Sequence, residues 1–134
     1  MSKIVVSLNG GRKVTANLAE GFTVVTDQPL NEGGGGIAPT PFDYFLASLA
    51  TCAGVYVSDF CSHRGIPVEN ITLCQNAEWS TDDRGKLHLV SVSLRINLPE
   101  TFPEKYRSSI VRVAKMCAVK HAITNPPRFS LELA

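Results

Sequence analysis

Several features that define large classes of proteins are missing from this 134-residue sequence. Acidic and basic residues nearly balance, at 12 and 13, and the net charge of +1 gives no electrostatic reason to expect nucleic acid or an acidic membrane surface as partner. No uninterrupted apolar run reaches the ~18 residues of a transmembrane helix, and the first residues lack the long apolar stretch of a signal peptide. We therefore expect a cytoplasmic protein that binds neither nucleic acid nor membrane.

Cysteine is also scarce, with four residues at positions 52, 61, 74 and 117. None of them forms a Cys-x-x-Cys pair, which argues against a zinc site, and we expect no metal. Four cysteines in a reducing compartment also argue against a structural disulfide framework. The hydrophobic content of 44% and charged content of 19% are typical of an ordinary globular protein, and the length predicts a single domain over residues 1–134.

A run of four glycines, Gly33 to Gly36, lies in a loop predicted between Asp27 and Pro39. Glycine-rich loops cradle phosphates in nucleotide-binding proteins, but no Lys-Ser/Thr pair follows this one, and its spacing fits neither the dinucleotide nor the P-loop pattern. The sequence therefore predicts a flexible flap rather than a phosphate site.

The order of predicted elements, βββ-α-ββ-αα-β, is that of an α+β domain. Three short strands are predicted within residues 3–26, the first two joined by an Asn9-Gly-Gly turn. A long apolar helix follows to about His63, with Thr40 as N-cap and Asp43 as the acidic partner of a capping box. Strands over 71–79 and 87–97, helices over 103–116 and 117–123, and a last strand over 128–133 complete the chain. A parity switch at Val90 predicts a bulge.

The cysteines differ in what their positions predict. Cys61 lies nine residues after Cys52, on the opposite helix face, so the two cannot pair within the helix, and Cys61 is predicted to be a core residue. Cys74 falls on the polar face of a strand. A reactive Cys52 requires a cation or a helix N-terminus to stabilise its thiolate. Its own helix cannot serve because Cys52 lies mid-helix, which leaves a cation such as Arg12; the alternative is an inert core thiol.

Two segments carry a resemblance to a known family. The helix that opens with Pro39-Thr-Pro-Phe-Asp43 and reaches Leu49-Ala-Thr-Cys52, followed 65 residues later by Cys117 in Met116-Cys-Ala-Val119, resembles the OsmC/Ohr proteins. These are osmotically induced and organic hydroperoxide resistance proteins, and the details are closer to the uncharacterised OsmC-like branch. The resemblance implies an OsmC-like fold with antiparallel sheets around two central helices in an intertwined homodimer.

The resemblance also implies a thiol peroxidase that needs no bound cofactor. Cys52 would be the peroxidatic thiolate, which becomes a sulfenic acid when it attacks an organic hydroperoxide, and Cys117 would close a disulfide with it. A dithiol such as a dihydrolipoyl protein would then reduce that disulfide. Arg12 follows a Gly-Gly pair as the family's activating arginine does, and would hold the thiolate and polarise the peroxide.

The sequence departs from the peroxidase pattern at two positions. Phe42 stands where those enzymes carry a glutamate, with Asp43 at the position where the uncharacterised branch usually has its acid. Cys117 is followed by Ala118 where the family usually has proline. Two alternatives therefore stay open: a non-enzymatic dimer that binds a small apolar ligand against Phe42, Phe45, Tyr56 and Phe60, and a stoichiometric redox sensor whose disulfide changes the glycine flap.

Overall fold

A computed structural model describes residues 2–134 of the chain. Its elements follow in the order β1 (Ile4–Leu8), β2 (Val14–Leu18), β3 (Thr23–Thr26), α1 (Pro41–Ser62), β4 (Thr72–Thr81), β5 (Leu87–Asn97), α2 (Arg107–Ala114) and α3 (Ala118–Thr124). The chain divides into two compact units, Met1–Ala47 and Ser48–Ala134, and α1 runs through the boundary. The predicted α+β class is confirmed, with antiparallel sheets in both units. The single domain stays a prediction.

The first unit contains a three-stranded antiparallel sheet in the order β1-β2-β3. Leu8 pairs with Val14, and the Asn9 amide donates to the Lys13 carbonyl at 3.2 Å, which closes the predicted hairpin. The loop after β3 differs from prediction. Every backbone N–H from Glu32 to Ile37 donates a hydrogen bond within segment 27–37, so this glycine-rich segment is an ordered loop and not a flexible flap.

Helix α1 begins with the predicted capping box. The Thr40 amide donates to the Asp43 carboxylate at 2.8 Å, and the Asp43 amide donates to the Thr40 hydroxyl at 3.2 Å. After Ser62 the chain turns through Gly65, whose φ of +64° favours glycine. Contrary to the sequence expectation, α1 is long and apolar enough to cross a membrane by length and composition, with a mean hydropathy of 1.3. The core helices of soluble proteins pass the same test.

The second unit has a hairpin, β4–β5, and one hydrophobic core. Glu78 pairs with Ser91 and Trp79 with Leu89, so Val90 is the extra residue of the predicted bulge. The core consists of buried side chains from α1, α2 and the loop before α2: Val57, Phe60, Cys61, Phe102, Ile110 and Ala114. The helix predicted over 103–116 begins as a 3-10 turn over Glu104–Tyr106, and its regular part is α2.

The last predicted strand, residues 128–133, is not formed in the single chain. Phe129, Leu131 and Leu133 alternate along this segment and are 85%, 99% and 99% exposed. An extended segment becomes a strand only when another strand satisfies its backbone groups, and no strand of residues 2–134 does so here. The predicted strand is therefore wrong for the single chain, because the pairing that a strand requires is absent from the sheets of residues 2–134.

Candidate active site

Folding brings the two cysteines of the predicted pair together within the second unit. Cys52 lies in α1 and is partly buried, and Cys117 is 3% exposed and is the N-cap residue of α3. Their side chains are within hydrogen-bonding range of each other, and both are free thiols. The Cys117 sulfur also lies 3.8 Å from the carbonyl oxygen of Leu49, one turn before Cys52 in α1. The two positions, 65 residues apart in the chain, therefore form one thiol pair.

The first backbone amides of α3 point at these two sulfurs. Amides in the first turn of a helix have no partner within the helix and must find one outside it. Those of Ala118 and Val119 lie near the Cys52 sulfur and act on its ionisation, and that of Lys120 donates to the Cys117 sulfur at 3.5 Å. The start of α3 thus lies against two thiols from different parts of the chain.

This arrangement lowers the pKa of Cys52 from its ordinary value of 9.0. The largest cause is the hydrogen bond from the Val119 amide, followed by that from the Cys117 thiol, and the Ala118 amide adds to them while burial opposes them. The sequence reasoning expected a cation for this purpose, because it considered only the helix that contains Cys52. Within the second unit it is the N-terminus of a different helix that stabilises the thiolate.

The other two cysteines lie in environments that do not activate them. Cys61 is fully buried, and burial raises the pKa of its thiol, although the charge of Arg64 acts in the opposite direction. The prediction that Cys61 is a core residue is confirmed. Cys74 is exposed on β4, where it pairs with Arg95, and so lies on the outward face that the alternation predicted.

The remaining predicted site residues are placed as follows. Arg12 belongs to the first unit, where its Nη1 donates to the carbonyl oxygen of Glu32 at 2.7 Å. The Asp43 carboxylate accepts a hydrogen bond from the Thr40 amide at the start of α1. The rings of Phe42 and Phe45 pack edge to face, with centroids 5.8 Å apart, and Tyr56 is half-buried in the second unit. Catalytic roles for Arg12 and Asp43, and substrate contacts for the aromatic rings, stay predictions.

Among residues 2–134, no three side chains of histidine, cysteine, aspartate or glutamate are grouped so that they could hold a metal ion.

The amides of Ala118 and Val119 are functional groups that the sequence reasoning missed. Backbone groups carry no signature of their own in a sequence. The departure at Ala118 was the one available signal, because a proline there would have no N–H to donate. The sequence alone does not show that the start of α3 faces Cys52, so it does not show why an N–H at position 118 matters.

The role of the Ala118 amide leads to a prediction about pH dependence. Proline is well tolerated at the first position of a helix, and the extended backbone of Cys117 (φ −47°, ψ 121°) suits a residue that precedes proline. Ala118→Pro should therefore fold normally but remove one hydrogen bond to the thiolate, which raises the pKa of Cys52 toward its ordinary value. We expect the pH midpoint of Cys52 alkylation by iodoacetamide to move to higher pH, and the rate at neutral pH to fall several-fold.

Ala118→Ser is the matched control for this experiment, because serine retains the amide and should leave the midpoint unchanged. Peptide mapping assigns the alkylation to Cys52. An unchanged midpoint in Ala118→Pro would show that the Ala118 amide does not stabilise the thiolate.

Comparison with known proteins agrees with this fold and places the thiol pair in a family context. Residues 33–132 match the family model of OsmC-like proteins, which covers Cys52 and Cys117 and leaves Arg12 outside. No curated protein sequence matches the chain.

Three solved structures illustrate the similarity of the fold. A protein from Psychrobacter arcticus named for osmotic stress induction and a detoxification response has a TM-score of 0.76 at 20% identity, with 91% of this chain and 88% of that chain covered. The organic hydroperoxide resistance protein OsmC of Legionella pneumophila has a TM-score of 0.65 at 20% identity, with 90% and 88% covered. The organic hydroperoxide resistance protein OhrB of Bacillus subtilis has a TM-score of 0.60 at 19% identity, with 92% of each covered.

Identities this low establish the fold alone, but the family model matches most of the chain and includes both cysteines of the pair. The chain therefore belongs to the OsmC-like protein family.

Proposed function

We propose that this protein is a thiol-dependent peroxidase that reduces organic hydroperoxides. The observation that carries the proposal is the Cys52–Cys117 pair at the start of α3, where amide hydrogen bonds lower the pKa of Cys52 and a second thiol lies within reach. Two solved structures of similar fold, from Legionella pneumophila and Bacillus subtilis, are named organic hydroperoxide resistance proteins.

The reaction would proceed in three balanced steps. The Cys52 thiolate attacks the terminal oxygen of the hydroperoxide, the O–O bond breaks, and the products are a Cys52 sulfenic acid and an alkoxide that takes up a proton to become an alcohol. The Cys117 thiol then attacks the Cys52 sulfur, which forms the disulfide and releases water. A dithiol donor reduces the disulfide by exchange and is itself oxidised to a disulfide.

The proximity of the thiols supports the second step. A disulfide bond is about 2.05 Å long and requires Cβ atoms about 4 Å apart. The Cys117 thiol lies close enough to Cys52 to lower its pKa, so a short movement would bring the pair to that geometry. The buried position of Cys117 also limits competing reactions of its thiol with solvent oxidants.

The test is an intact-mass measurement on the reduced wild-type protein after one equivalent of cumene hydroperoxide. We expect a loss of two hydrogens in the protein and an equal amount of cumyl alcohol, and repeated cycles when a lipoyl dithiol is present. An unchanged mass would refute the proposal. Oxidation without turnover would instead support the redox-sensor alternative.

We propose in addition that the protein functions as a homodimer. The C-terminal segment 128–133 has the alternation of a strand but no partner strand among residues 2–134, and every residue of β1 is exposed although its side chains are mostly apolar. Exposed apolar surface of this extent is typical of an interaction site. A second copy of the chain would supply the strand partner and cover for these residues.

One pair of substitutions tests the dimer. Because residues of a strand alternate between faces, Leu131 and Ser130 lie on opposite faces of segment 128–133. We expect Leu131→Asp to shift the protein from dimer to monomer in sedimentation velocity, since it places a charge on the apolar face. Ser130→Asp adds the same charge to the other face and should leave the dimer intact. A wild-type protein that sediments as a monomer at micromolar concentration would refute the proposal.

A further inference from the structure

Asp27 is the one charged side chain that is buried among residues 2–134, with 2% of its surface exposed. It follows β3 directly and stands at the start of the glycine-rich loop. Its carboxylate accepts hydrogen bonds from the amides of Gln28 at 2.8 Å, Gly35 at 3.1 Å and Ile37 at 3.4 Å. A buried carboxylate that accepts several amides stays ionised, and these bonds, with that from Gln28 the largest, hold the pKa of Asp27 below its usual value.

The rest of the loop is folded around this carboxylate. The amides of Glu32 and Gly34 both donate to the Pro29 carbonyl, at 2.9 and 3.0 Å, and that of Gly36 donates to the Gln28 carbonyl at 3.0 Å. Asp27 joins the beginning of the loop to its end by side-chain hydrogen bonds, because it bonds both to Gln28 and to Ile37. Its removal would leave the amides of Gly35 and Ile37 without their acceptor.

The loop in turn holds the side chain of Arg12. Arg12 Nη1 donates to the main-chain carbonyl of Glu32 at 2.7 Å, and the carboxylate of Glu32 is not the acceptor. Gly33 adjoins the Arg12 side chain as well, since a Cβ at this glycine would lie 3.9 Å from Arg12 Cδ. The direction of the guanidinium therefore depends on where the loop places one carbonyl oxygen.

We infer that Asp27 is a positioning residue for Arg12: its carboxylate fixes the loop, and the loop carbonyl of Glu32 fixes the guanidinium. This inference rests on the proposed peroxidase function and on the role that the family resemblance implies for Arg12, which is to polarise the hydroperoxide. In this chain the Arg12 guanidinium is held by a loop carbonyl, and the buried Asp27 carboxylate keeps that loop in position.

The functional test compares Asp27→Asn in two backgrounds. Asparagine has nearly the shape of aspartate but lacks its charge and one acceptor oxygen. The hydrogen bonds that the loop amides donate to this side chain therefore become weaker. We expect single-turnover oxidation of Cys52 by cumene hydroperoxide to slow about ten-fold in Asp27→Asn, as expected for the loss of a well-placed group. In an Arg12→Ala background the same substitution should produce no further slowing. A purely structural role of Asp27 would slow both backgrounds equally, which would overturn the inference.

Glu20→Gln is the matched control, because it removes the charge of an exposed carboxylate in the first unit that lies outside the glycine-rich loop. It should oxidise at the wild-type rate, and an equal ten-fold loss would mean that the loss of negative charge and not the loop contact explains the effect of Asp27→Asn. If Arg12→Ala itself oxidises at the wild-type rate, Arg12 has no role to be positioned for and the inference fails.

A second measurement does not depend on activity, and its first half uses the wild-type protein alone. In nitrogen-15 NMR spectra of the wild-type protein, rotation of the Arg12 guanidinium should be slow compared with that of the exposed Arg84, because Nη1 is held. Asp27→Asn should restore fast rotation. The wild-type protein could lack peroxidase activity and still show slow Arg12 rotation that becomes fast in Asp27→Asn. In that case Asp27 positions Arg12 although the peroxidase proposal fails. Equal rotation of Arg12 and Arg84 in the wild type would overturn it.

Discussion

Cys52→Ser should lower hydroperoxide turnover by at least about 1,000-fold, to the background of the remaining thiols, because a serine hydroxyl does not ionise where a stabilised thiolate does. The substitution replaces the sulfur with an oxygen atom of similar size. It should therefore leave the start of α3 and the fold undisturbed. Turnover is measured as cumyl alcohol formed in the presence of a lipoyl dithiol. The effect is large because every later step requires the sulfenic acid on Cys52.

The second cysteine should give a different result that separates the two roles. In Cys117→Ser the first oxidation still occurs, and we expect a gain of one oxygen in intact mass in place of the loss of two hydrogens, since the sulfenic acid has no thiol to condense with. Cys74→Ser is the control, because Cys74 lies exposed on β4, outside the thiol pair, and should behave as wild type. Retention of full turnover in Cys52→Ser would show that another group is the nucleophile.

Gly34→Ala should disrupt the glycine loop more than any other single methyl group added there. A Cβ at Gly34 would lie 1.9 Å from the carbonyl oxygen of Gln28, far inside contact distance and against backbone that cannot rotate away. The Gln28 carbonyl is also the acceptor for the Gly36 amide, so its displacement breaks the loop's own bonding. We expect a cost of about 3 kcal/mol, the upper end of the ordinary range for single substitutions.

Amide hydrogen exchange measures this effect locally. The amides of residues 32–37, all hydrogen-bonded in the wild type, should exchange about 100-fold faster in Gly34→Ala, while those of α3 stay protected. Gly54→Ala is the control, because no atom lies within 4 Å of the added Cβ and its helical backbone favours alanine. Wild-type exchange in Gly34→Ala would mean that the loop accommodates the methyl group and is not fixed as described.

The sequence predicted the local parts of this fold because their causes are local. The capping box of Thr40 and Asp43 and the bulge at Val90 depend on residues within one turn or one strand pair. The C-terminal segment shows the limit of this reasoning. Phe129, Leu131 and Leu133 alternate with other residues as in a strand with one apolar face, but whether the segment forms a strand depends on a partner, and alternation does not state where the partner is.

For the candidate site, too, the sequence predicted one part and the tertiary structure decided the other. The sequence and its family resemblance selected Cys52 and Cys117, whose residue types carry the chemistry. Only the tertiary structure decided what stabilises the Cys52 thiolate, since the amides of Ala118 and Val119 belong to a helix that is distant in sequence and have no side-chain signature. The partner of Arg12 was equally hidden, because it is a main-chain carbonyl that reaches the guanidinium only when Asp27 and the glycines fold the loop. The sequence determines the chemistry of each side chain, whereas the contacts of the folded chain determine the direction of its backbone groups.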